Sequence, residues 1–229
     1  MKVRITVETD LTTFIYQFFI GERSLTELES WIYSKAELES FIGSENYLEL
    51  ISLDFTKNST KLDAEKIFRN SVKDADYLNW SLSQLMTKII ARPSDVHVHI
   101  EMTYELYCRG YDFLRQLGLT YGLELASPYP HLENWKGLTS LELKNLVDSF
   151  YPNIAEDAQK VIDCLQDNKI EFEESSEQSL LDGLPWNPSY LDKRSPKEKK
   201  RMGVKGLNLD KLYVRLAWKI FRIKIYSYS

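Results

Sequence analysis

The chain has 229 residues, 43% hydrophobic and 28% charged, proportions that suit a globular protein with a buried core and exclude a disordered or collagen-like one. Nine glycines and seven prolines are too few for a turn-dense β-barrel or sandwich, and two cysteines, Cys108 and Cys164, cannot make a disulfide framework. The net charge of -5 conceals an asymmetry: residues 1–191 hold 17 basic and 31 acidic side chains, whereas 192–229 hold 12 and 3.

Lys2-Val-Arg-Ile-Thr-Val7 alternates apolar and polar residues, the period of a half-buried strand or an extended arm. Phe14, Ile15, Phe18 and Phe19 then recur at helical spacing, and Gly21 follows as a stop. Ser24-Leu-Thr-Glu27 is a capping box that opens a helix with Leu25, Leu28, Trp31 and Ile32 on its apolar stripe. A second box, Ser34 to Glu37, predicts a helix carrying Leu38, Phe41 and Ile42, ended by Gly43. Residues 47–55 are apolar but poor in β-branching, which favours helix. Helices over 64–72 and 76–90 complete a first helical half; in the second of them Leu78, Leu82, Leu85, Met86 and Ile89 share a face.

After Arg92-Pro93-Ser94, Val96-His-Val-His-Ile-Glu-Met102 alternates at period two and predicts a strand with one wet face. Residues 104–117 fit a helix weakened by Gly110, Gly118 and Gly122 bracket a turn, and Pro128 and Pro130 exclude regular structure beyond it. Thr139-Ser-Leu-Glu142 caps a helix to Phe150; Pro152 ends it, and Asn153-Ile-Ala-Glu156 caps another that reaches about Leu165. Residues 169–182 read as an exposed acidic connector, and the basic run 193–205 as mobile in isolation. From 209 to 222, Leu212, Tyr213, Leu216, Ile220 and Phe221 oppose Lys211, Arg215, Lys219 and Arg222 on an amphipathic basic helix. The fold class expected is mainly α, an irregular helical bundle with one or two short strands, with α+β as the alternative. The expected organisation is a helical body over 1–185, with halves 1–92 and 94–172, followed by a basic extension over 186–229.

Chemistry is thinly represented. There is no Gly-x-Ser-x-Gly elbow and no glycine-rich phosphate loop. His97, His99 and Glu101 on one strand face, with His131 or Cys108, are the nearest approach to a metal-hydrolase site, but the spacing supplies no full ligand set. Solvated histidines, structural thiols and a chain without catalytic activity, metal or cofactor are therefore expected. Glu8 and Asp10 interrupt the apolar run a signal peptide needs, so a cytoplasmic location is expected. The residues best suited to contact a macromolecule are the carboxylates Glu171, Glu173, Glu174 and Glu177 with the rings of Tyr121, Tyr129 and Trp135, because acidic fields steer basic partners and aromatic anchors hold them. The basic helix suits docking on the acidic body or on an acidic protein. Membrane or nucleic acid is a weaker match, since one short basic helix binds a membrane only marginally and the body's negative charge opposes nucleic acid.

Gly21, Leu25, Leu28, Trp31 and Tyr33, then Glu37-Leu-Glu39, Gly43 and Tyr47-Leu-Glu-Leu-Ile-Ser-Leu-Asp-Phe55, form a pattern that resembles the opening of bacterial cytosolic immunity proteins of polymorphic and contact-dependent toxin systems. The similarity extends to Gly110-Tyr-Asp-Phe-Leu114, Gly118-Leu-Thr-Tyr-Gly122, Trp135 and Ser149-Phe-Tyr-Pro152, so it covers about residues 11–172 and rests on core patterning. It implies a non-enzymatic binder that occupies and blocks a cognate protein toxin, with no defined functional residues to transfer. An acidic, aromatic-rich helical body agrees with a basic toxin as partner. The alternatives are a regulatory or scaffold protein acting through the basic helix and, third, a metal-dependent hydrolase.

Overall fold

A computed structural model describes residues 2–129, 132–173 and 184–201. These residues fall into two compact units, one within Met1–Ser81 and Glu174–Pro185, the other within Leu82–Glu173 and Trp186–Ser229. The fold is mainly α, and the described residues carry one two-stranded antiparallel sheet.

The first unit contains α1 (Lys2–Phe19), α2 (Leu25–Ser34), α3 (Leu38–Ile42), α4 (Ser44–Ile51), α5 (Thr60–Arg69) and the start of α6 (Asp74–Ala91). Residues 2–7, expected as a half-buried strand or an extended arm, are instead the opening of α1. A strand needs a paired edge, whereas extending an existing helix gains one hydrogen bond for each residue fixed, so the helical run from Leu11 onward overrides the local alternation. Gly21 and Gly43 end α1 and α3 at φ 76° and 87°, a backbone region in which a Cβ is strained. The first capping box forms: Ser24 Oγ accepts from the Glu27 amide at 3.2 Å, and Glu27 accepts from the Ser24 amide at 2.8 Å. The second does not. Ser34 is still in the last turn of α2 and donates to the Trp31 carbonyl at 2.8 Å, which leaves Glu37 as a bare N-cap of α3.

Ile15, Phe18, Leu28, Ile32, Leu50 and Phe68 are almost wholly buried in this unit, and Phe14 stacks on Trp31 with ring centroids 4.1 Å apart. The Arg69 guanidinium lies 4.3 Å from the centre of the Phe19 ring and 3.6 Å from Asp74. Burial pushes the Glu65 and Asp74 carboxyls up and pulls Arg69 down.

In the second unit Leu82, Leu85, Met86 and Ile89 of α6 are buried, as their shared face predicts. The expected strand over 96–102 is the first half of α7 (Val96–Cys108). Val96, Ile100, Thr103 and Leu106 are its buried residues, while Val98 and Met102 are 39% and 38% exposed. The helical period was present alongside the alternation and continues for two turns after the alternation stops. Gly110 then reverses the chain at φ 100°. A 3₁₀ turn (Asp112–Leu114), α8 (Arg115–Leu117), a π turn (Gly118–Gly122) and α9 (Leu123–Ala126) follow without interruption.

Gly118 and Gly122 therefore do not bracket a loop. They are contact points against α7: a Cβ on Gly122 would stand 2.8 Å from the Tyr104 backbone nitrogen, and one on Gly118 would stand 2.9 Å from the Thr103 carbonyl oxygen. Small residues four apart let two helical backbones approach more closely than any side chain allows.

A 3₁₀ turn at Trp135–Gly137 precedes α10 (Ser140–Phe150) and α11 (Asn153–Gln166). The Thr139–Glu142 box forms, with the Thr139 amide donating to Glu142 at 2.8 Å. Asn153 does not cap α11. Pro152 holds that place and offers only its carbonyl, which accepts from the Ala155 amide at 3.0 Å. Strands β1 (Ile170–Phe172) and β2 (Tyr190–Asp192) pair antiparallel with Glu171 opposite Leu191. The segment read as an exposed connector thus begins as a strand with Ile170 and Phe172 buried and Glu171 outward, because three residues of strict alternation suffice where a partner edge exists.

The start of the basic run is also ordered. Arg194 is buried and forks onto Asp192 at 2.9 and 2.8 Å, and Ser195 with Glu198 forms a further capping box, at the start of α12 (Pro196–Arg201). Pro196 stands at the first helical position, where its missing N–H costs nothing. The expected basic helix over 209–222, with Lys211, Arg215, Lys219 and Arg222, lies outside the described residues.

Candidate functional site

α11 is the most strongly two-sided helix of the second unit. Ile154, Ala158, Val161, Ile162 and Leu165 are buried, and Asn153, Glu156, Asp157, Lys160 and Asp163 recur at helical spacing on the other side. Those polar residues form one wall of a cleft of about 810 Å³. Gln116 from α8, Tyr121 from the π turn, Lys169 before β1 and Glu198 of α12 complete it.

Asp157 organises the wall. Its Oδ1 accepts from Lys160 Nζ at 2.6 Å, while Oδ2 accepts from the Tyr121 hydroxyl at 3.0 Å and from Gln116 Nε2 at 3.4 Å. Burial, reinforced by the negative charge of Asp157, pushes the Tyr121 phenol far above its ordinary range, so it acts as a hydrogen-bond donor and not as a base. Lys169 spans Glu198 at 3.0 Å and Asp167 at 3.4 Å. The Ser195 cap and Lys169 hold the Glu198 carboxyl at about 2, so it is ionised at any physiological pH. The Cys164 thiol also borders the cleft, and burial pushes it up, away from the thiolate a nucleophile requires. Lys160 and Lys169 are thus paired, and Glu156 and Asp163 have no cationic partner among the described residues.

The contact residues expected from sequence separate into distinct places. Tyr121 is buried, its ring edge-on to Phe150 at 5.4 Å, so it supports the cleft from beneath and is not a loop anchor. Tyr129 is 45% exposed in the loop after α9. Trp135 is half-buried in its 3₁₀ turn, where its Nε1 donates to Glu101 at 2.6 Å. Glu171 pairs with Lys193, and Glu173 accepts from the Ser189 hydroxyl. Glu174, Glu177 and His131 lie outside the described residues.

The strand-based metal arrangement is corrected by the helix. His97 meets the Trp135 ring edge-on at 4.2 Å, Glu101 is bonded to the same indole, and His99 stands 3.7 Å from Asp95. Successive odd positions on a helix point about 200° apart, so the two histidines do not converge. Among the described residues no three His, Cys, Asp or Glu side chains come together where they could hold a metal, and no helix is long and apolar enough to cross a membrane. Cys108, expected as a structural thiol, is exposed at the end of α7.

Sequence reasoning missed Gln116, Asp157, Lys160 and Asp163. The spacing of the polar residues in 153–163 was a usable signal for the wall, whereas Gln116 comes from a segment whose pairing with α11 no local pattern records. Comparison with protein families, curated proteins and solved structures yields no match.

Proposed function

We propose that the chain is a binding protein of the immunity type, which captures a basic protein partner, a toxin domain, through the acidic surface formed by α11 and β1 and blocks it by occupation. The observation that supports this reading most directly is the charge of that surface. Residues 153–173 hold six carboxylates against two lysines, and Glu156 and Asp163 stand open on the cleft wall. Such a field raises the encounter rate with a cationic partner by roughly 10 to 1,000-fold at low salt. The alternative that acts through the basic C-terminal segment receives less support. Lys193, Arg194 and Lys199, at its beginning, are engaged by Glu171 and Asp192 of the same unit.

The test is binding of the purified chain to the effector encoded beside it, with growth protection as the cellular readout. Glu156→Lys together with Asp163→Lys should weaken the complex at least tenfold and flatten its salt dependence. Capture that ignores both the substitutions and the salt refutes the acidic surface as the contact.

A further inference from the structure

We propose that the cleft of the second unit is a socket for a guanidinium group, filled by an arginine side chain of the captured protein; this rests on the partner-binding reading above. Three observations converge on it. Four carboxylates line the cleft, Glu156, Asp157, Asp163 and Glu198, against two lysines, and each lysine is already paired with a carboxylate of the same wall. Glu156 and Asp163, the two without a cationic partner among the described residues, stand two turns apart along α11, about 10 Å, with Lys160 between them.

The third observation is Gln116. It is only 9% exposed, it borders the cleft, and its Oε1 is buried without any hydrogen-bond donor. The bond from its Nε2 to Asp157, at 3.4 Å, is long. The terminal torsion of a glutamine is soft, so a donor entering the cleft turns Oε1 toward itself in exchange for the long Nε2 bond to Asp157. A buried acceptor without a donor is rare in native proteins and marks a place where a group is missing.

The wall groups that retain acceptor capacity are the Glu156 carboxylate, the Asp163 carboxylate, one oxygen of which takes the Gln159 amide at 2.9 Å, and the buried Gln116 amide oxygen. The complementary ligand carries donors and no acceptor. A guanidinium offers five N–H groups in a planar fork, remains charged at every relevant pH and sheds water more readily than an ammonium. A lysine ammonium is compact and strongly hydrated, and it lacks the planar fork with which a guanidinium addresses two acceptors at once.

The experiment is calorimetric titration of the full chain at low ionic strength with agmatine, with acetyl-Gly-Arg-Gly-amide, and with the lysine peptide of the same length. Agmatine and the arginine peptide should bind saturably, and the lysine peptide at least fivefold more weakly. Gln116→Leu and, separately, Glu156→Gln with Asp163→Asn should each weaken agmatine at least fivefold. The exposed carboxylate variant carries the test if the buried one fails to fold. Absence of saturable binding, equal binding of the lysine peptide, or equal binding by the variants overturns the proposal. Agmatine bound without the peptide overturns the side-chain source. Failure here is separable from failure of the functional reading: an effector captured with full affinity by a chain that binds no agmatine keeps partner capture and eliminates the socket. An effector that ignores the acidic-surface substitutions while agmatine still binds eliminates the capture surface.

Discussion

Replacing Gly122 by alanine is the sharpest structural test, because two effects of opposite sign meet there. In a helical segment alanine is favoured over glycine by about 1 kcal/mol, so a surface view predicts a more stable protein. The added Cβ, however, stands 2.8 Å from both the Tyr104 nitrogen and its Cβ, and 2.9 Å from the Ile100 carbonyl oxygen. Ordinary contact begins near 3.5 Å, so α7 and the π turn must separate by about 0.7 Å, and the obstructing atoms include backbone that no rotamer change can move. Overpacking costs about 1–3 kcal/mol, and backbone obstruction puts this site in the upper half, about 2–3 kcal/mol, so after the propensity gain a net loss of about 1–2 kcal/mol remains. Thermal unfolding followed by far-UV circular dichroism should show a fall of about 3–6 °C for a chain of this size. Gly137→Ala is the control: its nearest obstruction, at 2.7 Å, is the Leu132 Cδ2 methyl, the end of a flexible side chain, and the loss should stay below about 0.5 kcal/mol. A Gly122→Ala protein as stable as the parent, or a Gly137→Ala protein equally damaged, refutes the close-approach argument.

Phe172→Ala empties a site enclosed by Tyr111, Phe113 and Tyr190 and should cost about 3–4 kcal/mol in urea unfolding; a loss under 1 kcal/mol would show that the β1–β2 pair packs on nothing essential. Thr139→Ala removes a formed cap and should cost about 1 kcal/mol, whereas Ser34→Ala, where no box forms, should be close to neutral. Acid titration of stability separates two carboxylates by sign. Glu198 is held below its ordinary 4.5, so its contribution is complete above that pH and is lost as pH falls toward about 2; Glu198→Gln should flatten this limb. Glu65 is raised by burial, so its ionised form becomes a cost as pH rises above 4.5, and Glu65→Gln should remove that decline. Reversed slopes in either variant would contradict the assigned environments.

Several elements were legible without a structure because their causes are local. The stripe Leu78, Leu82, Leu85, Met86 and Ile89, the stops at Gly21 and Gly43, and the caps at Ser24 and Thr139 depend on residues within a few positions of one another, and all are observed. A mainly α fold follows from the sum of such signals. The two strand expectations that the structure overturned share one cause as well. At 1–7 and 96–102 the letters fit both periods, and a strand is decided by whether an edge is available, which is not a local property.

The candidate site follows the same division. The polar face of α11 is written in its own sequence, and so is the excess of acid along it. That Gln116 lies beside Asp157, that Tyr121 is buried beneath them, and that Glu198 returns to Lys169 depend on side chains 29 to 41 positions apart meeting in space. Helix periods and cap motifs act over one or two turns and determined which segments of this protein are helical and which faces are wet. The cleft and its orphaned amide oxygen were decided by tertiary packing, because long-range contacts select among faces that local energies leave equivalent.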